Sequence, residues 1–182
     1  LVEPNHTQAY TVGMQWLGKP VWAGRFRARG ELANLEMSPT FRTRPAATWY
    51  TSRAAEQGYT HQGQVLGAAI GPGSSSQHVA IGYVADAWQL EGTIARIRWQ
   101  NDVQAERINY PSGGWCEHDV SMMGGGRASV NSRFGSIALS YLTGTRYNPF
   151  FSPRQPSCPG KNIGDVRNGT FSLRFEPVLP RW

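Results

Sequence analysis

Lysine and cysteine are both scarce in this sequence. Of the 18 basic residues only Lys19 and Lys161 are lysine, and the other 16 are arginine. The two cysteines, Cys116 and Cys158, are isolated rather than arranged in a CxxC pair, which disfavours a zinc site. We favour a disulfide between them, which predicts an oxidising compartment, and two free thiols are the alternative.

Charge and long apolar runs are also scarce. Charged residues make up 16% of the chain, below the roughly 25% that is usual for a soluble domain. No apolar run is long enough to predict a transmembrane helix. The 21 glycines and seven tryptophans favour a sheet protein with close backbone approaches over a helical bundle.

The net charge of +6 is carried almost entirely by arginine. Guanidinium groups bind carboxylates and phosphates through two parallel hydrogen bonds, so an acidic partner is expected. A nucleic-acid partner is disfavoured, because the sequence has no recognition-helix pattern, RNA-binding motif or lysine-rich tail.

The stretch AGRFRARGELA, residues 23–33, places a charge at every second position. Charged side chains at every second position lie on one face only in a strand, because successive side chains of a helix are rotated by about 100°. Similar alternation predicts further strands at 10–16, 46–52, 77–87, 93–100, 126–134, 135–144 and 169–177. Gly18-Lys19-Pro20 is predicted to be a turn. We therefore predict an all-β, antiparallel up-and-down meander that forms one unit over residues 1–182, with about eight strands.

The polar faces of these strands repeatedly use arginine. We place the following residues on polar faces: Arg25, Arg27, Arg29, Arg96, Arg98, Arg127, Arg133 and Arg174. A soluble sandwich with arginines in solvent and an outer-membrane barrel with arginines in the lumen both satisfy the alternation. The repeated arginines, the small residues on the apolar faces and the aromatics near strand ends favour the barrel.

Two segments resemble the Wzi capsule-assembly family of bacterial outer-membrane proteins: GYTHQGQVLGAAIGPGSSS at 58–76 and IARIRWQND at 94–102. GELANLEM, 30–37, is similar to the family's acidic strand, and TWYTSRAAEQGYTHQG, 48–63, to its approach to the glycine-rich segment. The resemblance covers about residues 24–102. It implies that the chain is a C-terminal portion of a larger barrel in the cell outer membrane.

The resemblance also implies a function without enzymatic activity, namely binding of acidic capsular polysaccharide to help assemble or attach the capsule. Outer-membrane lipid is the second expected partner, and we expect no catalytic residue, metal or cofactor. The residues expected to bind polysaccharide are Arg25, Arg27, Arg29, Arg96, Arg98, Arg127, Arg133, Trp115 and Tyr147. Pairing of Arg25, Arg27 and Arg29 with lumen carboxylates such as Glu31 and Glu36 is the alternative for the first three.

Two other functions remain open on the sequence alone. One is a complete small outer-membrane barrel that acts as an adhesin or as a lipid hydrolase, with His78 and a nearby serine as the reactive pair. The other is a soluble, secreted carbohydrate-binding sandwich. CEHD, residues 116–119, is interpreted as a surface loop rather than a metal site.

Overall fold

A computed structural model describes residues 8–37, 50, 60–62, 64–65, 67–103, 118–151 and 164–177. The strands of this part of the chain are β1 (Tyr10–Val21), β2 (Gly24–Asn34), β3 (Thr60–His61), β4 (Gln64–Val65), β5 (Ser75–Ala85), β6 (Trp88–Trp99), β7 (Asp119–Ser132), β8 (Gly135–Tyr147) and β9 (Val166–Pro177). A short 3-10 turn, Pro149–Phe151, follows β8. None of the helical segments among these residues has the length and apolarity to cross a membrane.

Seven of the strands form one antiparallel sheet in the order β1-β2-β5-β6-β7-β8-β9. β3 and β4 form a separate two-stranded pair. Apart from the β3–β4 pair, strands that follow one another along the chain are neighbours in the sheet, so the predicted all-β, antiparallel meander is confirmed. The sheet is open between β1 and β9 within the described residues, and the predicted strand at 46–52 lies almost entirely outside them.

The two ends of the sheet differ in their connections. At the short-turn end, two-residue turns join β1 to β2, β5 to β6 and β7 to β8. At the long-segment end, the connections span residues 35–74, 100–118 and 148–165. The predicted turn at Gly18-Lys19-Pro20 is wrong, because these residues lie within β1 at a register shift, and the turn is at 22–23. An edge strand such as β1 tolerates a proline, since one side of its backbone has no ladder partner.

One face of the sheet is apolar and exposed, and we call it the apolar face. Its large side chains have relative exposures between 40% and 75%. They include Val12, Met14, Trp16, Phe26, Leu32, Val79, Ile81, Trp88, Leu90, Ile94, Met122, Val130, Ile137, Leu139, Tyr141, Phe171, Leu173 and Phe175. Exposed apolar patches of this extent are not usual on soluble monomers, where they mark binding or membrane surfaces.

The opposite face, here the polar face, is formed mainly by small, polar and charged side chains. One row across it reads Leu17, Arg27, Gly82, Glu91, Arg127, Ser140 and Ser172. Several of its side chains are nearly inaccessible, with exposures of 1% at Ala80, 6% at Ser129 and 7% at Ser121. The alternation therefore separates two chemically different faces, as the sequence predicted.

Glycines in the middle of the sheet indicate which way it bends. A Cβ atom at Gly82 or Gly125, on the polar face, would approach a carbonyl oxygen of the next strand to 2.5 or 2.1 Å. A Cβ atom at Gly92 or Gly124, on the apolar face, would have its nearest neighbour at 3.9 or 3.7 Å. The crowding is on the polar face, so we infer that the sheet curves towards that face and is convex on the apolar one.

The apolar core of the described residues is very small. Its buried hydrophobic residues are Ala33, Leu35, Ala80 and Phe151. A soluble sandwich buries the apolar faces of two sheets against each other. No second layer of the described part of the chain covers the apolar face, so the arrangement lacks the feature that defines a sandwich.

The phase predicted for the end of β6 is wrong. We expected Ala95, Ile97 and Trp99 on the apolar side and Arg96 and Arg98 on the polar side. The register instead places Ala95 and Ile97 in the same face as Glu91, and Arg96 in the same face as Ile94. The predicted arginines are consequently divided between the two faces, because the polarity of β6 reverses near the long-segment end.

Candidate functional site

Two arginines and one glutamate meet on the polar face across β2, β5 and β6. Arg27 Nη2 lies 2.8 Å from Glu91 Oε2, and Arg29 Nη2 lies 2.5 Å from Glu91 Oε1. β5 separates the partners, but its residues between them are Gly82 and Ala80, over which the long arginine side chains can reach. The Glu91 side chain is only 10% exposed, so this pairing is shielded from solvent on the glutamate side.

The cluster has more guanidinium groups than carboxylates. Arg127 lies directly opposite Glu91 in the register, and Arg25 lies on the same face two residues before Arg27. Both side chains are exposed, and neither forms an ion pair within the described residues. Four guanidinium groups against two carboxylates, Glu31 and Glu91, leave two positive charges.

The internal pairing of Arg27 and Arg29 uses Glu91, a residue that the sequence reasoning did not select. Glu31 forms no ion pair within the described residues, and Glu36 binds Arg98 rather than the β2 arginines. Glu91 was missed because the predicted strand began at 93. Alternation continued back from that segment would have placed Glu91 with Ala95 and Ile97, on the side predicted to be apolar, because the phase of β6 was assigned wrongly.

A second carboxylate, Glu36, organises the long-segment end of β2, β5 and β6. It accepts hydrogen bonds from Arg98 Nε at 2.8 Å and Arg98 Nη2 at 2.5 Å. Ser75 Oγ and Asn101 Nδ2 also donate to it, at 2.6 and 3.0 Å. The two-pronged contact with Arg98 and the added donors fix the segment after β2 to the ends of β5 and β6.

A third carboxylate, Asp119, holds the start of β7 to the end of β8. Its side chain is 2% exposed and accepts from Arg146 Nε at 2.8 Å and Nη2 at 2.6 Å. The Arg146 guanidinium lies between two rings, 5.2 Å from the Trp99 centroid and 4.9 Å from the Phe150 centroid. Asp119 belongs to the CEHD stretch that we predicted to be a surface loop, and for this residue that prediction is wrong.

Asp119 also stabilises an unusual backbone conformation after β8. Phe150 and Phe151 both have a φ of 58°, a left-handed conformation that large side chains seldom adopt. The Phe150 N–H donates to Asp119 Oδ2 at 2.8 Å, which ties this turn to the sheet. Strained backbone conformations cluster at functional sites, so this turn is a candidate part of one.

A pocket of about 300 Å³ lies on the polar face beside this cluster. Its lining includes Trp99, Met123, Leu142, Arg146, Asn168 and Thr170. Gly144 contributes to the same wall, so the pocket forms where a strand on the polar face lacks a side chain. The ring of Trp99 at its edge and the hydroxyl and amide groups along β9 are chemically suited to a sugar.

The remaining predicted residues lie elsewhere. Arg133 is in the turn between β7 and β8, with its guanidinium 4.6 Å from the Phe134 ring centroid. Tyr147 lies on the apolar face, opposite Val120, so its ring is not beside the arginine cluster. Trp115, Cys116 and Cys158 lie outside the described residues, as does the disulfide predicted between the cysteines.

The histidines of the described residues offer little for catalysis. His78 Nε2 lies 2.7 Å from Thr93 Oγ1, whereas the sequence had suggested a serine partner. The Thr93 hydroxyl donates a hydrogen bond to the Val79 carbonyl oxygen at 3.3 Å. It therefore accepts the hydrogen bond that it shares with His78 Nε2. Burial, and then Arg98 and Arg96, lower the pKa of His118, against the opposing effect of Glu36.

No group of three or more potential metal ligands occurs in the described part of the chain. Comparisons with protein-family models, with curated proteins and with solved structures find no match to this chain. The interpretation of the site therefore depends on its geometry and on the chemistry of its residues.

Proposed function

We propose that the sheet is part of the wall of an outer-membrane β-barrel, with the apolar face towards lipid and the polar face towards the aqueous interior. The observation that carries this proposal is the exposed, continuous apolar surface on the convex side of a sheet whose concave side carries ion pairs. Outer-membrane barrels have this distribution, together with short turns at one end and longer connections at the other.

Strand lengths support the same proposal. The seven strands of the main sheet have between 11 and 14 residues. A tilted strand needs about 9–11 residues to cross the hydrocarbon layer, so each is long enough. The soluble sandwich is less well supported, because its apolar faces would have to be covered.

We further propose that the arginine cluster around Glu91 binds the carboxylates of acidic surface polysaccharide. Arg25 and Arg127 have no ion-pair partner in the part of the chain that the structure describes, and Glu91 neutralises only one of its two arginine partners. Trp99, at the pocket further along the polar face, supplies a ring on which a sugar can stack. A role in capsule assembly or attachment rests on the resemblance to the Wzi family and stays a prediction.

Location in the outer membrane is tested on the intact protein. Inner and outer membranes are separated, and electrophoretic mobility is compared with and without boiling. The proposal predicts recovery in the outer membrane and a mobility shift on heating, because a closed barrel resists detergent unfolding. Recovery in a soluble fraction with no mobility shift would contradict both the barrel and the placement of the polar face in its interior.

Polysaccharide binding is tested with the full chain in detergent and with polygalacturonate as the acidic probe. The double variant Arg25→Gln, Arg127→Gln should bind up to about thirtyfold more weakly, since each of the two exposed ion pairs contributes at most about 1 kcal/mol. Binding by the unchanged protein should also weaken as salt is raised.

The matched control is Arg133→Gln, which removes the same charge at a turn away from the cluster. Neutral dextran controls for binding that does not depend on carboxylates. Equal binding of dextran and polygalacturonate, or equal weakening by Arg133→Gln and by the double variant, would show that the cluster is not the site.

A further inference from the structure

The apolar face carries a small group of charged residues at one end. Three charged side chains lie on it at register-paired positions of the described strands, and all three are arginines: Arg96, Arg98 and Arg167. No aspartate or glutamate occupies a paired position on this face of the described strands. The group is at the long-segment end, where the large apolar residues of β6 and β9 have ended.

The spacing along β6 places these arginines at the edge of a membrane rather than within it. Trp88 begins the apolar residues of this face on β6, and Arg96 and Arg98 follow it by eight and ten residues. At about 3.3 Å per residue and a tilt of about 40°, these separations correspond to roughly 20 and 25 Å of depth. Trp88 and Arg98 are thus separated by about the height of the apolar band of an outer-membrane barrel.

The three arginines differ in how far their hydrogen-bonding capacity is already used. Arg98 is bound through two nitrogens to Glu36. Arg96 has one hydrogen bond, from Nη1 to Gln77 Oε1 at 3.0 Å, and no ion pair among the described residues. Arg167 is exposed and has no ion pair within the same part of the chain. Arg96 and Arg167 therefore present uncompensated positive charge beside the apolar band.

We propose that Arg96 and Arg167 bind the phosphate groups of lipid headgroups in the leaflet at the long-segment end. This inference rests on the proposed membrane insertion and concerns the opposite face from the polysaccharide site. A guanidinium group beside an apolar surface can keep its aliphatic stem in the acyl region while its charged end reaches a headgroup phosphate. The carboxylate bound on this face within the described residues is Glu36, and Arg98 neutralises it, so Arg96 and Arg167 retain a net positive charge that attracts an anionic lipid.

The test uses the full chain reconstituted in phosphatidylcholine bilayers that contain a minority of spin-labelled phosphatidic acid. Electron paramagnetic resonance measures the fraction of labelled lipid that is immobilised by the protein. A Lys or Arg near the membrane surface contributes about 1 kcal/mol, so Arg96→Gln should lower the selectivity for phosphatidic acid by up to about fivefold. Arg167→Gln is a second variant, which keeps the test valid if one substitution impairs folding.

The matched control is Arg127→Gln, which removes an exposed arginine of the polar face and should leave lipid selectivity unchanged. Selectivity should also persist in excess inorganic phosphate, since the headgroup is held at the apolar surface. Loss of selectivity in free phosphate would instead identify a site for soluble phosphate and overturn the lipid assignment.

The two proposals fail in distinguishable ways. Equal immobilisation of phosphatidic acid and phosphatidylcholine by an inserted, heat-modifiable protein would overturn the lipid site and leave the barrel intact. Failure of the protein to insert into bilayers would overturn the proposed barrel, and with it the lipid site that depends on membrane insertion.

Discussion

The two faces of the sheet differ in what their side chains contact. Side chains of the polar face contact one another, as in the Arg27–Glu91 and Arg146–Asp119 pairs. Those of the apolar face are large but mostly exposed, for example Ile81 at 62%. The apolar face can therefore contribute its hydrophobic free energy only through contact with something outside the described residues, whereas the polar face is stabilised internally.

The largest difference between the faces is expected from a charge placed in the middle of each. Ile81→Arg should lower the free energy of unfolding in lipid bilayers by about 2–4 kcal/mol, since this is the cost of Arg near the midplane. Ser172→Arg places the same side chain on the polar face and should cost far less. Urea titration of the bilayer-embedded protein measures both. Equal, small effects would mean that the apolar face does not contact lipid.

An intermediate difference is expected from two adjacent glycines. Gly125→Ala adds a methyl group that would lie 2.1 Å from the Tyr141 carbonyl oxygen, on the concave side. Overpacking of this kind costs about 1–3 kcal/mol, so the midpoint of unfolding should fall. Gly124→Ala points to the convex side, where the nearest atom is 3.7 Å away, and should change the midpoint little. The reverse order would show that the sheet curves the other way.

The smallest effect is expected from the pH dependence of His118, which is exposed at the start of β7. Its pKa in the folded state lies below the ordinary value of 6.5, so the unfolded state binds the proton more readily. The contribution of His118 to stability is therefore constant well above pH 6.5 and decreases as pH falls through that value. His118→Gln should reduce the loss of stability between pH 7.5 and 5.5 in urea titrations. An identical loss in this variant would exclude His118 as its source.

The strands were largely predictable because alternation is a local property of the sequence. β2, β5, β8 and β9 overlap the predicted segments closely, since each keeps one polarity phase over most of its length. β6 was harder, because Arg96 and Arg98 continue the face of Leu90 and Ile94. A prediction from residues 93–100 alone assigns the charged side to the wrong face, and only the register with β5 and β7 corrects it.

The candidate site was less predictable because its pairs join distant parts of the chain. Arg27 and Glu91 are 64 residues apart, and Arg146 and Asp119 are 27 apart. Composition indicated that arginine carries the chemistry of this protein, but it could not identify which arginines are already neutralised. That information depends on small residues such as Gly82, whose significance is visible only when β5 lies between β2 and β6.

The strand order of the sheet limits how a cylinder could be completed. Neighbouring strands alternate in direction along a sheet of seven, so the first and last members, β1 and β9, run the same way. If these two edges met directly, their backbones would pair in parallel and the cylinder would contain one exceptional seam. An all-antiparallel cylinder contains an even number of strands, so an odd number must stand between β9 and β1. One strand or three satisfy this parity, whereas a single added hairpin does not.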